Sequence, residues 1–136
     1  MAMVFLSENP DQIYSSWNNG PNNGVKITAL PVIDNGKRFE AIVIFSGCVA
    51  DESGNCNVVA DWSVNTVTGK SLGEIKNAPL WVDRPAPVQG QLQISEKGLG
   101  LVADKKDVGY VFTVKVKDLI GGKSVQLIQR TKVGNT

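Results

Sequence analysis

Most of the chain alternates between apolar and polar residues in short runs that turn residues separate. The clearest run lies at 110–117, where the apolar residues are Tyr110, Phe112, Val114 and Val116. Alternation with a period of two is typical of a strand that has one buried face. We therefore predict a strand in which these four side chains point inward and the polar residues between them point to solvent.

A second run, 41–45, is apolar at every position. Such a run is typical of a central strand that is buried on both faces, and we expect it within a strand over 38–47. The Asn-Gly step within 34–37 is a strong hairpin signal. It predicts a hairpin with a preceding strand at 25–33, which Pro31 restricts to an edge or bulged position.

The rest of the chain predicts shorter strands between frequent turns. These are expected at 57–65, 78–82, 91–95, 98–102 and 124–133. In the first of them Trp62 falls in the inward phase, so we expect it in the core. The strand at 98–102 is expected to pair with the one at 91–95, and 83–87 is expected to form a rigid loop.

The N-terminal part of the chain has a different pattern. Asn9-Pro10 is typical of a helix start, because Asn caps a helix and Pro fits its first position. The helix can continue only to about Trp17, since 18–24 is rich in Asn and Gly. We predict an arm with a short helix and linker over 1–24, followed by one domain over 25–134. With about seven to nine strands, the fold class is all-β, a two-sheet antiparallel sandwich.

Cys48 and Cys56 flank a turn sequence at 51–55. If the flanking residues form a hairpin, the cysteines lie opposite each other, at a separation that suits a disulfide. A disulfide indicates an oxidising compartment, the periplasm or the exterior, whereas the alternative is two free cysteines in a cytosolic domain. No signal peptide is recognisable, and because the Met-Ala-Met start resembles a cloning remnant, we expect that a leader was removed.

The composition argues against several classes of function. The 136 residues contain no His, the usual general base and the commonest metal ligand. Charged residues make up 20% and the net charge is +1, which does not indicate a nucleic acid or an anionic membrane as partner. No apolar run is long enough to span a bilayer. We therefore expect a protein without enzymatic activity or cofactor, with glycosidase chemistry by two carboxylates as an alternative.

A calcium site is a further alternative near the cysteines. Asp51, Glu52, Asn55 and Asp61 surround the cysteine loop and offer oxygen ligands, the type that calcium prefers. Their spacing does not match the EF-hand loop, and turn residues with a solvated strand face explain them equally well. We therefore predict no metal site.

Aromatic and basic side chains supply the candidate anchors for a partner. Tyr14 and Trp17 lie in the polar arm, and Trp81 and Arg84 lie at the loop 83–87. Exposed aromatic residues anchor protein partners or stack on sugars. The alternative for the two in the arm is that they plug the open end of the sandwich. Aromatic residues aligned on a flat face would favour a carbohydrate-binding module. A single protruding loop, either the cysteine loop or 83–87, would favour a small secreted inhibitor.

Lys115, Lys117, Arg130 and Lys132 are expected on the outer face of the last two strands. A basic stripe at this position would meet an acidic protein or a polysaccharide. The alternative is an ordinary solvated surface, whose charges also discourage aggregation through strand edges.

The last two predicted strands carry a family resemblance. Gly109-Tyr110 opens an alternating strand that ends at Asp118, a Gly-containing turn follows, and Ser124-Val125-Gln126-Leu127 begins the next strand. This hairpin resembles the final strands of bacterial immunoglobulin-like modules over about 25 residues. The chain departs from antibody domains because its two cysteines are close in sequence. The resemblance implies an immunoglobulin-like or fibronectin-like sandwich, a fold common in envelope and surface proteins. We therefore expect a non-enzymatic extracytoplasmic binding or assembly module of a bacterial envelope or secreted protein, with a protein or polysaccharide as partner.

Overall fold

The computed structural model of the chain describes residues 2–19 and 32–134. Two facing β-sheets make up most of this part, so the prediction of an all-β, two-sheet chain is confirmed. The elements are β1 (Ala2–Ser7), α1 (Pro10–Asn19), β2 (Val32–Asp34), β3 (Arg38–Phe45), β4 (Asn55–Thr66), β5 (Ser71–Pro85), β6 (Gln93–Ile94), β7 (Leu99–Val102), a 3₁₀ helix (Lys105–Asp107), β8 (Gly109–Asp118) and β9 (Lys123–Gly134). The predicted linker at 20–24 and most of the predicted strand at 25–33 lie outside the described residues.

One sheet has four strands and the other has five. In the four-stranded sheet β3 is central, with β1 on one side and both β6 and β7 on the other. The five-stranded sheet has the order β2-β9-β8-β4-β5. All pairs are antiparallel except β2 with β9, which are parallel, so the prediction of a fully antiparallel sandwich is wrong at this edge. A short strand can join the edge of a sheet in either direction if its inward side chain, here Ile33, is buried.

The main core lies between the two sheets and is built from alternating residues. Trp62 from β4 and the predicted inward residues of β8, from Tyr110 to Val116, are all buried, which confirms both predictions. On the facing sheet Phe39 meets two of these aromatic rings, with centroid distances of 5.9 Å to Tyr110 and 5.7 Å to Phe112.

The outer face of the four-stranded sheet is covered by α1. Ile42 and Ile44 of β3 point to this side and are fully buried with Phe5 and Ile94. Phe39, Ala41, Val43 and Phe45 of the same strand face the main core, so the prediction that the run 41–45 is buried on both faces is confirmed. The predicted helix start at Pro10 is also confirmed, although the helix extends two residues further than expected, to Asn19.

Strand β1 was not predicted, because its short apolar run was interpreted as part of the N-terminal arm. It pairs with β3 in antiparallel register from Ala2 opposite Phe45 to Ser7 opposite Glu40. Successive residues Phe5 and Leu6 are buried on opposite faces, one under α1 and the other in the main core. The first residues of the predicted arm therefore belong to the sheet.

The two hairpins predicted on either side of β3 are wrong, although both turns form. The Asn-Gly turn closes with a hydrogen bond from Lys37 N to Asp34 O at 3.1 Å, and the cysteine loop follows β3 directly. Both connections cross from one sheet to the other, since β2 and β4 lie in the five-stranded sheet. A turn sequence reverses the chain but does not determine which strands form hydrogen bonds with each other.

The pairing predicted between 91–95 and 98–102 is also wrong. Strands β6 and β7 lie one after the other along the same edge of β3, with Ile94 opposite Ile44 and Leu99 opposite Ala41. Between them Gly98 passes so close to β3 that an added Cβ would lie 2.1 Å from the carbonyl oxygen of Ala41. The backbone therefore continues past β3 without the reversal that a hairpin requires.

The strand predicted at 78–82 is the middle of β5, which has 15 residues. The rigid loop predicted at 83–87 is wrong as far as Pro85, because Arg84 pairs with Cys56 and Pro85 with Asn55. This pairing leaves little of the segment to protrude as an inhibitory wedge. Within the described ranges, no helix is long and apolar enough to cross a membrane.

Candidate functional site

The candidate anchors Tyr14 and Trp17 attach α1 to the sheet beneath it. Both are half-buried and pack on the cluster around Ile42. The Tyr14 hydroxyl donates to Glu40 Oε1 at 3.2 Å, and the same oxygen accepts from Gly98 N at 2.8 Å. Burial, and then the negative charge of Glu40, raise the pKa of the Tyr14 phenol above its ordinary value. These two aromatics thus have a structural function at the outer face of the four-stranded sheet.

Trp81 and Arg84 form a second group on the edge strand β5. Trp81 Nε1 donates to Pro85 O at 2.9 Å, and the Arg84 guanidinium lies 4.6 Å from the centre of the Trp81 ring. Arg84 also forms an ion pair with Glu96 at 2.9 Å. The indole is held by its neighbours on β5 and packs on Phe45, with a ring separation of 6.4 Å.

The candidate anchors are therefore divided between the two sheets. Tyr14 and Trp17 lie on α1 against the four-stranded sheet, whereas Trp81 lies on the five-stranded sheet. The three aromatic residues do not share one flat face, the arrangement that a stacking platform for sugars requires. The carbohydrate-binding alternative consequently gains no support from these residues.

The four basic residues predicted on β8 and β9 lie in two separate pairs. Lys115 and Lys117 are near one end of these strands, whereas Arg130 and Lys132 pair with Val111 and Gly109 near the other. Along the strand, the four residues from Lys115 to Val111 span about 14 Å. This gap holds the uncharged pair Thr113–Ile128, so the residues do not form a continuous basic stripe.

The Lys117 ammonium group has polar partners within its own sheet. It forms an ion pair with Asp61 at 3.0 Å and donates a hydrogen bond to Asn77 Oδ1. Asp61 also accepts from Asn77 N at 2.9 Å, and this hydrogen bond, followed by that from Lys117, holds the pKa of the Asp61 carboxyl below its ordinary value. Because these groups satisfy one another, Lys117 contributes little charge to a partner.

The residues considered for calcium have other partners in the structure. Asp51 Oδ1 accepts backbone hydrogen bonds from Ser53 at 2.9 Å and Asn55 at 3.0 Å, which hold the turn of the cysteine loop. Asp61 is paired with Lys117 on the face of the sheet. Among the described residues, no group of three or more acidic or cysteine side chains is arranged to hold a metal ion.

Two loops meet at one end of the molecule, and we call residues 46–54 and 119–122 together the tip. The Cys48–Cys56 disulfide closes the first loop, with a Cα–Cα distance of 6.1 Å. Asp118 joins the two loops, because its Oδ2 accepts from Val49 N at 2.9 Å and its Oδ1 from Gly121 N at 3.0 Å. The disulfide and the Asp118 carboxylate therefore fix the conformation of the tip.

Beside the tip, the two sheets separate around a cleft of about 270 Å³. Its lining combines core residues with loop residues: Ala2, Phe45, Ser46, Gly47, Cys48, Val49, Val58, Val116, Asp118, Lys123, Ser124 and Val125. Three aliphatic side chains of the tip are exposed, Val49 (47%), Leu119 (56%) and Ile120 (37%). Polar and apolar groups both contribute to this lining, and a concave site that combines the two is a candidate binding site.

Sequence reasoning named the cysteine loop as a candidate protruding loop, but it did not identify the turn after β8 that completes the tip, although one signal was present. Turns favour Gly, Pro, Asn, Asp and Ser, yet the turn after β8 begins with Leu119-Ile120. Large aliphatic residues in an exposed turn are typical of a contact surface. Asp118, which carried part of the family resemblance, holds this turn against the cysteine loop.

A second apolar groove of about 280 Å³ opens on one side, between β5 and β7. It is lined by Trp62, Val64, Leu72, Gly73, Glu74, Ile75, Leu99, Gly100 and Leu101. Both strands that border the groove are at sheet edges, so the core residues Trp62 and Val64 lie at its base without a third strand above them.

Comparisons with known proteins give weak structural likenesses. No protein-family model matches the sequence, and no curated protein matches it. A superoxide reductase (neelaredoxin) from Ignicoccus hospitalis is similar in structure, with a TM-score of 0.47 and 12% identity over 80% of this chain and 79% of that one. A family 123 glycoside hydrolase from Clostridium perfringens has a TM-score of 0.41 and 11% identity. That match covers 99% of this chain but only 27% of the hydrolase.

Proposed function

We propose that this protein is a non-enzymatic, extracytoplasmic binding module with an immunoglobulin-like sandwich, and that the tip and its cleft are the binding surface. The observation that carries the proposal is the fixed apolar tip: exposed Val49, Leu119 and Ile120 lie on loops that a disulfide and Asp118 hold together. Contact of apolar side chains with water is unfavourable in free energy, and binding to a partner that covers them removes this contact.

The strand order supports the immunoglobulin-like part of the proposal. If β1, β3 and β6 with β7 correspond to strands A, B and E, then β4, β5, β8 and β9 correspond to C, C′, F and G. The sheets then have the order ABE and GFCC′ that is found in immunoglobulin domains, with β2 as an additional strand beside G. A strand equivalent to D is missing from the part of the chain that the structure describes.

Three side chains support the same comparison. Tyr110 begins β8 and accepts a hydrogen bond from Asp104 N at 2.9 Å, as the tyrosine corner of strand F does in this fold. Trp62 is buried on the strand that corresponds to C. Phe112 lies two residues after Tyr110 and contacts Phe39 of the other sheet. Antibody domains have the disulfide that joins their two sheets at this position.

In this comparison the tip corresponds to the end of the sandwich where the B–C and F–G loops meet. Variable domains bind their antigens with the loops of this end. The cleft of about 270 Å³ is smaller than most sites for drug-sized ligands and fits one or two side chains of a protein partner. A protein partner is therefore favoured over a free small molecule.

The disulfide supports the extracytoplasmic part of the proposal, because structural disulfides persist in oxidising compartments. Both cysteines of the chain are used in it. The Cys48–Cys56 bond also closes the loop that carries Val49, so the same bond shapes the proposed binding surface.

Site-specific photocrosslinking tests the binding surface. A photoreactive phenylalanine analogue replaces Val49 or Ile120 in the tip, and for comparison Val67, which is 45% exposed at the opposite end of the sheets. In an extract of the source organism, we expect the tip positions to form one discrete protein adduct that unlabelled wild-type protein competes away. Equal labelling from Val67, or no competition by wild-type protein, would contradict a binding function for the tip.

A further inference from the structure

Among the described residues, the N-terminal half of β5 is a sheet edge. In this part of the chain, strand β5 pairs with β4 on one side and has no strand on the other. All residues from 71 to 77 are exposed, including Leu72 and Ile75. A free edge has unpaired backbone N–H and C=O groups that can form hydrogen bonds with another strand.

Backbone kinks in β5 limit the part of this edge that can form hydrogen bonds with another strand. Gly73, Asn77 and Asp83 have φ values of 154°, 55° and 53°. Side chains of β4 hold the last two kinks, since Asp61 accepts from Asn77 N at 2.9 Å and Asn57 accepts from Asp83 N at 3.0 Å. Such bulges turn an edge away from other strands. The regular window that remains between the kinks at Gly73 and Asn77 runs from 74 to 76.

This window is complementary to itself. In an antiparallel pair of two copies with a two-fold axis at Ile75, Glu74 of each copy lies opposite Lys76 of the other. Neither residue forms an ion pair among the described residues. Both lie on the outer face, since Glu74 pairs with the outward-facing Ser63, and Lys76 lies close enough to Asp61 to contribute to lowering its pKa. Opposite charges that face each other across strands stabilise the pairing.

The apolar groove is on the other face of the same window. Ile75 pairs with the inward-facing Trp62 and lines the groove together with Leu99 and Leu101. Its side chain is 45% exposed because no strand covers it. With the axis at Ile75, the isoleucines of two copies would contact each other and the two grooves would become adjacent.

We propose that a second copy of this chain is the partner of the β5 edge, and that the two copies form a symmetric dimer through residues 74–76. The two five-stranded sheets then join into one sheet of ten strands. Because the paired strands are antiparallel and the tip lies near the far end of β5, the two tips point in opposite directions. The dimer therefore leaves both proposed binding surfaces free.

A window of three residues gives a small interface. Interfaces at the low end of the observed size range form weak, reversible complexes. We expect a monomer–dimer equilibrium with a Kd on the order of 100 µM, so that dilution dissociates the dimer.

Sedimentation equilibrium on the wild-type chain and charge variants tests the dimer. We expect Glu74→Lys and Lys76→Glu each to weaken association at least about tenfold, because like charges then face each other twice. The double variant Glu74→Lys/Lys76→Glu restores opposite charges and should restore the wild-type Kd. Glu8→Lys, a matched charge change on an exposed residue away from β5, should leave the Kd unchanged.

Cysteine cross-linking tests the position of the axis. The native cysteines are bonded to each other, so Ile75→Cys introduces the one free thiol. In the dimer this thiol meets its own counterpart, and mild oxidation should give a covalent dimer. Val82→Cys, also exposed on β5, lies far from the axis and should not cross-link. A monomer at all concentrations, or association that survives both single charge reversals, would overturn the proposal.

Discussion

Polar side chains hold the irregular backbone of this molecule at several positions. Asp118 accepts N–H groups from both tip loops, Asp61 accepts the N–H of the kinked Asn77, and Tyr110 accepts the N–H of Asp104. Backbone groups outside regular pairing require such partners, because a buried N–H without one is costly. Among the described residues no buried side-chain nitrogen or oxygen lacks a partner.

The Tyr110 hydroxyl is expected to make stability depend on pH at alkaline values. It donates to Asp107 Oδ2 at 2.7 Å, and burial, followed by that hydrogen bond, raises the pKa of Tyr110 to about 12 from its ordinary 10.0. A raised pKa means that the folded state keeps the proton longer than the unfolded state does. The stabilisation is therefore complete below pH 10 and is lost as the pH rises from 10 to about 12.

Tyr110→Phe tests this dependence. At neutral pH the variant should be less stable by about 1–3 kcal/mol, because Asp104 N and Asp107 lose a buried partner. The difference from wild type should be constant up to about pH 9 and should shrink as the pH approaches 12. Urea unfolding at several pH values measures it. A difference that stays constant over the whole range would contradict the raised pKa.

At the scale of elements, the disulfide restrains the connection between β3 and β4. Closing a loop of this length is expected to contribute about 2.5 kcal/mol through the reduced entropy of the unfolded chain. The double variant Cys48→Ser/Cys56→Ser should lose about this free energy of unfolding in urea. A reductant should destabilise the wild type by the same amount and leave the double variant unchanged.

The same bond also tests the proposed compartment. Protein isolated from its native cells without reductant, then denatured and alkylated, should keep its unmodified mass, since both cysteines are bonded. Two added alkyl groups in protein from native cells would contradict the extracytoplasmic proposal.

At the scale of the whole molecule, aromatic contacts join the two sheets. Phe39 of β3 is fully buried and contacts Tyr110 and Phe112 of the opposite sheet. Phe39→Ala removes these contacts and leaves a cavity, which should cost about 3–5 kcal/mol. A domain of this size has a total stability of roughly 5–15 kcal/mol, so the variant should lose a large part of its free energy of unfolding.

Thermal and chemical denaturation measure this loss. Ile128→Ala, at an exposed position on the outer face of β9, is the matched control and should change stability by less than about 0.5 kcal/mol. If Phe39→Ala were as mild as Ile128→Ala, the aromatic contacts would not be what joins the sheets.

The sequence alone determined the features that depend on neighbouring residues. Four features were predicted correctly: the inward side chains of β8, the doubly buried apolar run 41–45 of β3, the helix start at Pro10 and the disulfide. Each follows from a short pattern, because the pleat of a strand and the capping of a helix are local properties of the backbone. The buried position of Trp62 followed from the same alternation.

Only the tertiary structure decided which strands pair, and with that the candidate surfaces. The connections on either side of β3, predicted as hairpins, cross between the two sheets. Tyr14 and Trp17, predicted as candidate anchors, pack against the sheet because α1 covers β3. The tip exists because Asp118 meets Val49, 69 residues away in the chain. Alternation fixes the direction of each side chain along a strand, whereas pairing depends on burial summed over distant segments, which no local pattern contains.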